Sequence, residues 1–290
     1  MTTKNNIFQY LKDNNDAVYL IAEIGINHNG DMSIAKKLID ASHACGWDCV
    51  KFQKRNPDVC VPEDQKLIKR DTPWGEMTYI DYKYKVEFEE KEYNEIDKYC
   101  KEKPILWTTS VWDLDSLAFM EQYDVPFLKI PSAHLTNLEL IEETAKTGIP
   151  IIVSSGMSDW KMIENAIKVL EKNNAEYSLL HCNSTYPAPH DELNLNVIVE
   201  MQKRYDCIIG YSGHEYDLTP SQVAVTLGAR IIERHITINH NMWGTDQSAS
   251  LEVNAMDLLN KRLVDIRSMM GVSEKFITES EKEVIKKLRG

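Results

Sequence analysis

Residues 207–235 read CIIGYSGHEYDLTPSQVAVTLGARIIERH. The opening run, Cys207–Gly210, is short, apolar and β-rich, and the polar group Tyr211-Ser212-Gly213-His214-Glu215 follows it. Thr219–Gly228 then has helical period, with Thr219 placed as its capping residue. A second apolar run, Arg230–Glu233, leads into Arg234-His235. Strand, helix and strand in this order make a βαβ unit, whose parallel strands are covered on both faces.

Working outward, the same alternation fills the chain. Earlier apolar runs are Val18–Ala22, Cys49–Phe52, Ile105–Thr108, Phe127–Ile130, Ile151–Val153 and Tyr177–His181. Helical periods lie between them at Met32–Cys45, Lys91–Lys101, Leu114–Tyr123, Leu138–Thr147, Trp160–Lys172 and Asn196–Arg204, with Asn254–Met270 after the last strand. Asp113, Asn137 and Asp159 stand where helix caps are expected. Eight strands in a chain of 290 residues favour closure as a (β/α)8 TIM barrel, an α/β fold, over an open doubly wound sheet. No GxGxxG follows any strand, which weakens the open alternative further.

Around a barrel at residues 17–272, residues 1–16 form a short amphipathic arm and residues 273–290 a charged helical tail. The segment Arg55–Phe88 is too long for an ordinary βα loop, and its stretch TPWGEMTYIDY is aromatic and polar, as expected of a lid or binding loop. Hydrophobic content of 43% and charged content of 27% exclude collagen-like and disordered classes. A net charge of -12 argues against a nucleic-acid partner. The six cysteines form no CxxC pair, the N-terminus has no signal-peptide core, and no window approaches 18 apolar residues. These features point to a cytoplasmic protein with no membrane partner.

In a barrel of this kind chemistry sits at the C-terminal ends of the strands, and here every strand end is polar. His214 and His235 end neighbouring strands, close enough to share one divalent ion; the plain alternative is a hydrogen-bonded loop histidine beside a helix-end residue. Lys51 and Lys129 emerge from apolar surroundings, where an unpaired ammonium is expensive. Each needs either a carboxylate such as Glu23 or Glu233, or an anionic ligand held with Ser132, Ser154 and Ser212. Ser154-Ser155-Gly156 suits close backbone approach to a phosphate. Glu23 is a candidate acid/base as well as a candidate partner for Lys51. Residues 242–250 follow the last strand with many hydrogen-bonding groups, fit either for a polyhydroxylated substrate or for solvent.

Seven ordered motifs carry a family resemblance: IAEIGINHNG at 21–30, VKFQK at 50–54, KIPS at 129–132, SSGM at 154–157, HCNSTYP at 181–187, GYSGH at 210–214 and IERHIT at 232–237. Together they resemble the sialic acid synthase (N-acetylneuraminate synthase) family over roughly residues 17–270. The resemblance implies a barrel enzyme that condenses phosphoenolpyruvate with an open-chain aldose, such as N-acetylmannosamine, releasing phosphate by C–O cleavage. It implies a divalent metal at His214 and His235, Mn2+ foremost, with Mg2+ or Co2+ as alternatives. Position by position, it places phosphoenolpyruvate on Lys51, Ser110, Lys129, Ser132, Ser154, Ser184 and Ser212. It makes Glu23 the acid/base, and it puts the sugar on Gln53, Tyr186, Glu233 and Asp246.

Three positions depart from the commoner bacterial pattern: Ser110 stands for Thr, His134 for an acid and Ser184 for Asn. His134 puts in doubt any catalytic role assigned to an acid there. The antifreeze-like domain common in bacterial members does not follow the barrel, so a separately encoded one is a candidate partner. A homodimer is also expected, covered by the 55–88 loop and by the arm's Ile7, Phe8, Tyr10 and Leu11. The competing readings are a Schiff-base barrel aldolase using Lys129 or Lys51, and a sugar- or phosphate-binding protein without turnover.

Overall fold

A computed structural model describes residues 6–289, so residues 1–5 of the expected arm and Gly290 of the tail lie outside the described residues. The eight apolar runs form eight parallel strands: β1 (Tyr19–Gly25), β2 (Cys49–Lys54), β3 (Leu106–Val111), β4 (Leu128–Ile130), β5 (Ile151–Ser154), β6 (Tyr177–Cys182), β7 (Ile208–Gly213) and β8 (Ile231–His235). They close into a barrel in which β1 pairs with both β2 and β8. Several strands outlast their apolar runs. β1 continues to Gly25, β7 to Gly213 and β8 to His235, because the ladder carries on through polar residues that face inward.

The period of two explains what those residues do. Tyr19, Ile21, Cys49, Phe127, Ile152, Leu180 and Ile231 fill the barrel floor. Two residues further along, the same inward faces carry Glu23, Lys51, Lys129, Ser154 and Glu233. Outward positions such as Leu20, Ala22, Ile24, Val50 and Phe52 pack beneath the surrounding helices. Those helices bury one stripe each; Trp160–Lys172, for example, buries Ile163, Ala166, Ile167 and Leu170. Asp113, Asn137 and Asp159 cap as expected, accepting from the amides of Ser116, Leu140 and Met162. Thr219 does not. It is the first helical residue, and the Asp217 carboxylate accepts its amide at 2.8 Å.

The N-terminal arm folds as a helix, Ile7–Asp13, whose Ile7, Phe8 and Leu11 plug the floor against Tyr19 and Phe127. Arg230 ties it down by donating to the carbonyls of Leu11 and Ala17. The expectation that these apolar residues seek a partner chain is therefore corrected: they are buried in the chain's own barrel. The long 55–88 segment is structured, with a short helix (Pro57–Cys60), an antiparallel hairpin (Lys69–Thr72 with Gly75–Thr78) and a helix (Tyr79–Val86). Tyr82 and Val86 pack on Ile26, and Trp243 stands edge-on to Tyr82 at 4.9 Å and to Trp74 at 5.7 Å. The tail forms a helix, Glu279–Leu288, with no buried residue. Among the described residues no helix is long and apolar enough to cross a membrane.

Candidate active site

At the rim of β1 and β2, the strand register sets Glu23 opposite Lys51, and their charges meet at 2.6 Å. Lys51 also donates to Ser110 Oγ at 2.8 Å and lies 3.6 Å from Glu233. Lys129 is placed differently. It donates to Ser154 Oγ at 2.6 Å and to the Ile130 carbonyl at 3.2 Å, while Glu233 is 3.9 Å away. Gln53 donates to the other Glu23 oxygen, and Ser212 to Glu233. So the internal pairing left open for the two lysines is complete for Lys51 and loose for Lys129.

The electrostatics divide the four charges. Burial pushes Glu23 above the usual carboxylate range even with Lys51 beside it. Burial acts on Glu233 as well, but Lys129 and then Lys51 outweigh it and hold Glu233 below that range. Burial favours the neutral amine of both lysines; Glu23 and Glu233 overcome it at Lys51, which is raised, and Lys129 is lowered. Two carboxylates pushed apart in this way take different roles, one poised to hold a proton and one to stay ionised.

His214 and His235 face each other with ring centroids 5.4 Å apart. A carbonyl can only accept, so the 2.6 Å contact to Asn183 O puts the His214 proton on Nδ1. Nε2 is then the acceptor, facing the Tyr186 hydroxyl at 2.8 Å. Against the effect of burial, the Cys182 sulfur 3.8 Å from Nδ1 raises His214. His235 is kept neutral, lowered to about 3 by burial, and its Nδ1 has no hydrogen-bond partner. Asp246 approaches that nitrogen to 3.8 Å. A carbonyl-fixed imidazole beside a neutral, unpartnered one fits a divalent ion. Among the described residues no three His, Cys, Asp or Glu side chains are grouped to hold a metal.

Ser132 accepts the Gly156 amide at 3.0 Å, and a Cβ at Gly156 would collide with the Ser132 and Ser184 hydroxyls. Only glycine lets the backbone come this close. Every residue to which the resemblance gives a catalytic, substrate or metal role, except Asp246, lines one cavity of about 180 Å³. Asp246 lines an adjoining cavity of about 290 Å³, which shares Gln53, Trp112 and Tyr186 with the first. His134 stands edge-on to Trp112 at 5.2 Å, outside both.

Sequence reasoning missed Trp112, which lies outside every motif, and gave no role to Cys182 within HCNSTYP; both line the first cavity. It also missed the fully buried pair of Arg234 and Glu215, 2.9 Å apart on the outside of the barrel. Arg234 donates as well to Ser221 and to the carbonyls of Asp217 and Glu215. This network braces the turn that carries His214. Strand alternation could have found it, since Arg234 lies between the inward Glu233 and His235.

A family model described as "NeuB family" matches residues 38–275, most of the chain. The protein belongs to the NeuB family. This NeuB-family chain is 36% identical over 275 residues to N-acetylneuraminate-9-phosphate synthase of Homo sapiens, covering 93% of its own length and 76% of that protein. It is 35% identical over 275 residues to N,N'-diacetyllegionaminic acid synthase of Campylobacter jejuni, covering 93% and 82%. Among solved structures, the N-acetylneuraminic acid synthetase of Leptospira borgpetersenii, crystallised with citrate, superposes with a TM-score of 0.85 at 29% identity, covering 94% of this chain and 92% of that one.

Proposed function

We propose that this NeuB-family protein condenses phosphoenolpyruvate with an open-chain aldose, giving a 3-deoxy-2-ulosonic acid of the sialic acid type and phosphate. The observation that carries the reading is the cavity itself. Two lysines and a ring of serine hydroxyls stand beside paired imidazoles and two carboxylates of opposite tendency. The names of the human and Campylobacter relatives support the same reaction class.

Lys129, short of a close anion, takes the incoming substrate together with Ser154, Ser132, Ser184 and Ser212, and Lys51 and Ser110 hold its other end. C3 of phosphoenolpyruvate attacks the aldehyde carbon, water adds at C2, and the C2–O bond to phosphate breaks. The Glu233 carboxylate faces the positive charge that builds at C2. Glu23, with its raised pKa, moves the proton between the added water and the developing alkoxide. Bound at His214 and His235, a divalent ion, Mn2+ foremost, would supply polarisation of the aldehyde C=O. Gln53, Tyr186 and Asp246 orient the sugar.

The test is phosphate release from phosphoenolpyruvate across a panel of aldoses, with manganese and with chelator. Aldose-dependent release, with the bridging oxygen found in phosphate, is expected. Borohydride trapping of a pyruvate adduct on Lys129 or Lys51, insensitive to chelator, would replace this reading with a Schiff-base aldolase. Ligand binding without any phosphate release would leave a binding protein.

A further inference from the structure

The pairing of β7 with β8 ends where Gly213 stands opposite Arg234, one residue short of both imidazoles. Behind the rings, on the outside of the barrel, their sequence neighbours meet: Glu215 follows His214 and Arg234 precedes His235. Both are fully buried, with Arg234 Nη1 2.9 Å from Glu215 Oε1. The other Glu215 oxygen accepts from the Tyr211 hydroxyl at 2.8 Å. A Cβ at Gly213 would collide with both carboxylate oxygens, so the carboxylate lies directly under the chain that leads into His214. The guanidinium also donates to Ser221 Oγ at 3.1 Å, to the Asp217 carbonyl at 2.9 Å and to the Glu215 carbonyl. Both carbonyls belong to the stretch just past His214.

A buried ion pair contributes little net stability, because desolvation offsets much of the attraction. What a planar guanidinium does contribute is direction, since its donors leave in a fixed fork. His214 is already held on its β6 side, where Nδ1 donates to the Asn183 carbonyl and its own carbonyl accepts the Ala188 amide. On the β8 side, Arg234 ties the turn after His214 to the residue that carries His235. We propose that the Arg234–Glu215 pair is a clamp that sets the spacing of the two imidazoles, 5.4 Å between ring centroids, and with it their grip on a divalent ion. This rests on the metal reading above. Neither residue lines the catalytic cavity, so both are positioning residues.

The experiment measures manganese affinity by equilibrium dialysis for wild type, Arg234→Lys and Phe8→Ala. Lysine keeps a charge for Glu215, but one ammonium cannot replace the fork across Ser221 and two carbonyls. Arg234→Lys should weaken manganese binding about tenfold or more, the range for residues that orient metal ligands. Phe8→Ala, which removes a floor-plug ring far from the imidazoles, should bind manganese as wild type does. Weakening of both variants alike would reflect a general loosening of the fold and overturn the clamp. A second arm needs no metal: crystal structures of the metal-free wild type and Arg234→Lys, in which the variant's two rings should leave their wild-type spacing. If Arg234→Lys does not fold, Glu215→Gln, which keeps an acceptor for Tyr211 and Arg234 and drops only the charge, is read in the same two ways. Equal affinity in variant and wild type, or rings that stay in place, overturns the clamp while the condensation stands. If wild type itself binds no manganese, the metal reading fails, and the ring spacing alone decides the clamp.

Discussion

Lys51 and Lys129 look alike in sequence, but their neighbours give them different tasks. Lys51 is paired with Glu23 at 2.6 Å, while Lys129 has a hydroxyl and a carbonyl as its close partners. An anionic substrate therefore gains more from Lys129. Lys129→Met should raise the KM for phosphoenolpyruvate far more than that for the aldose, with a loss on the order of 2–5 kcal/mol. Steady-state kinetics with each substrate varied will show it, and an unchanged phosphoenolpyruvate dependence would reassign Lys129 to structure. The imidazoles give a sharper test. His235→Ala should abolish manganese binding, read by equilibrium dialysis, and turnover with it, while the Tm stays within a few degrees because the ring packs no core. At this scale the sequence was informative wherever a strand end placed a polar residue facing inward. It was silent on partnership: alternation turns Arg234 outward, but nothing local names Glu215 as the group it meets.

Among the elements, the lid and the floor plug do opposite work. The lid rests on Trp243, which stands against Tyr82 and Trp74. Water exclusion matters here because the C2 cation must meet only the intended water. Trp243→Ala should loosen the lid, raise the aldose KM and let C3 take a proton from solvent in place of the aldehyde, so that water at C2 releases phosphate with pyruvate. Comparing phosphate with condensation product measures that leak, and tight coupling in the variant would remove the lid from the mechanism. Phe8 is its counterpart below. It is buried among Tyr19, Phe127 and Ile152, far from any reacting group. Phe8→Ala should cost about 3–5 kcal/mol in denaturant unfolding, with kcat unchanged below the transition. Both segments were visible in sequence as exceptions to the βα repeat. Their destinations were not, because a run such as Ile7, Phe8 and Leu11 shows only that an apolar face needs cover, not which surface covers it.

For the whole molecule, the barrel was legible because eight continuous apolar runs at regular spacing admit few other arrangements. The pairing of β1 with β8 that closes it has no local signal and follows from the count alone. Closure also brings the first loop against the end of the lid. There His28 stacks on Phe88 at 3.9 Å and accepts the Gly30 amide on Nδ1 at 3.1 Å. Burial lowers its pKa to about 3 from an ordinary value of 6.5. Between those values the unfolded chain binds a proton that the folded chain refuses, so stability falls as pH drops from about 6.5 toward 3 and is fully present above 6.5. His28→Asn keeps an acceptor for Gly30 but has no proton to take up in this range. The variant should be less stable than wild type at pH 7.5, for want of the stacked ring, and the gap should narrow steadily by pH 5. Urea unfolding at the two pH values measures both gaps, and a gap of equal size at each would show that His28 is not held neutral by the fold.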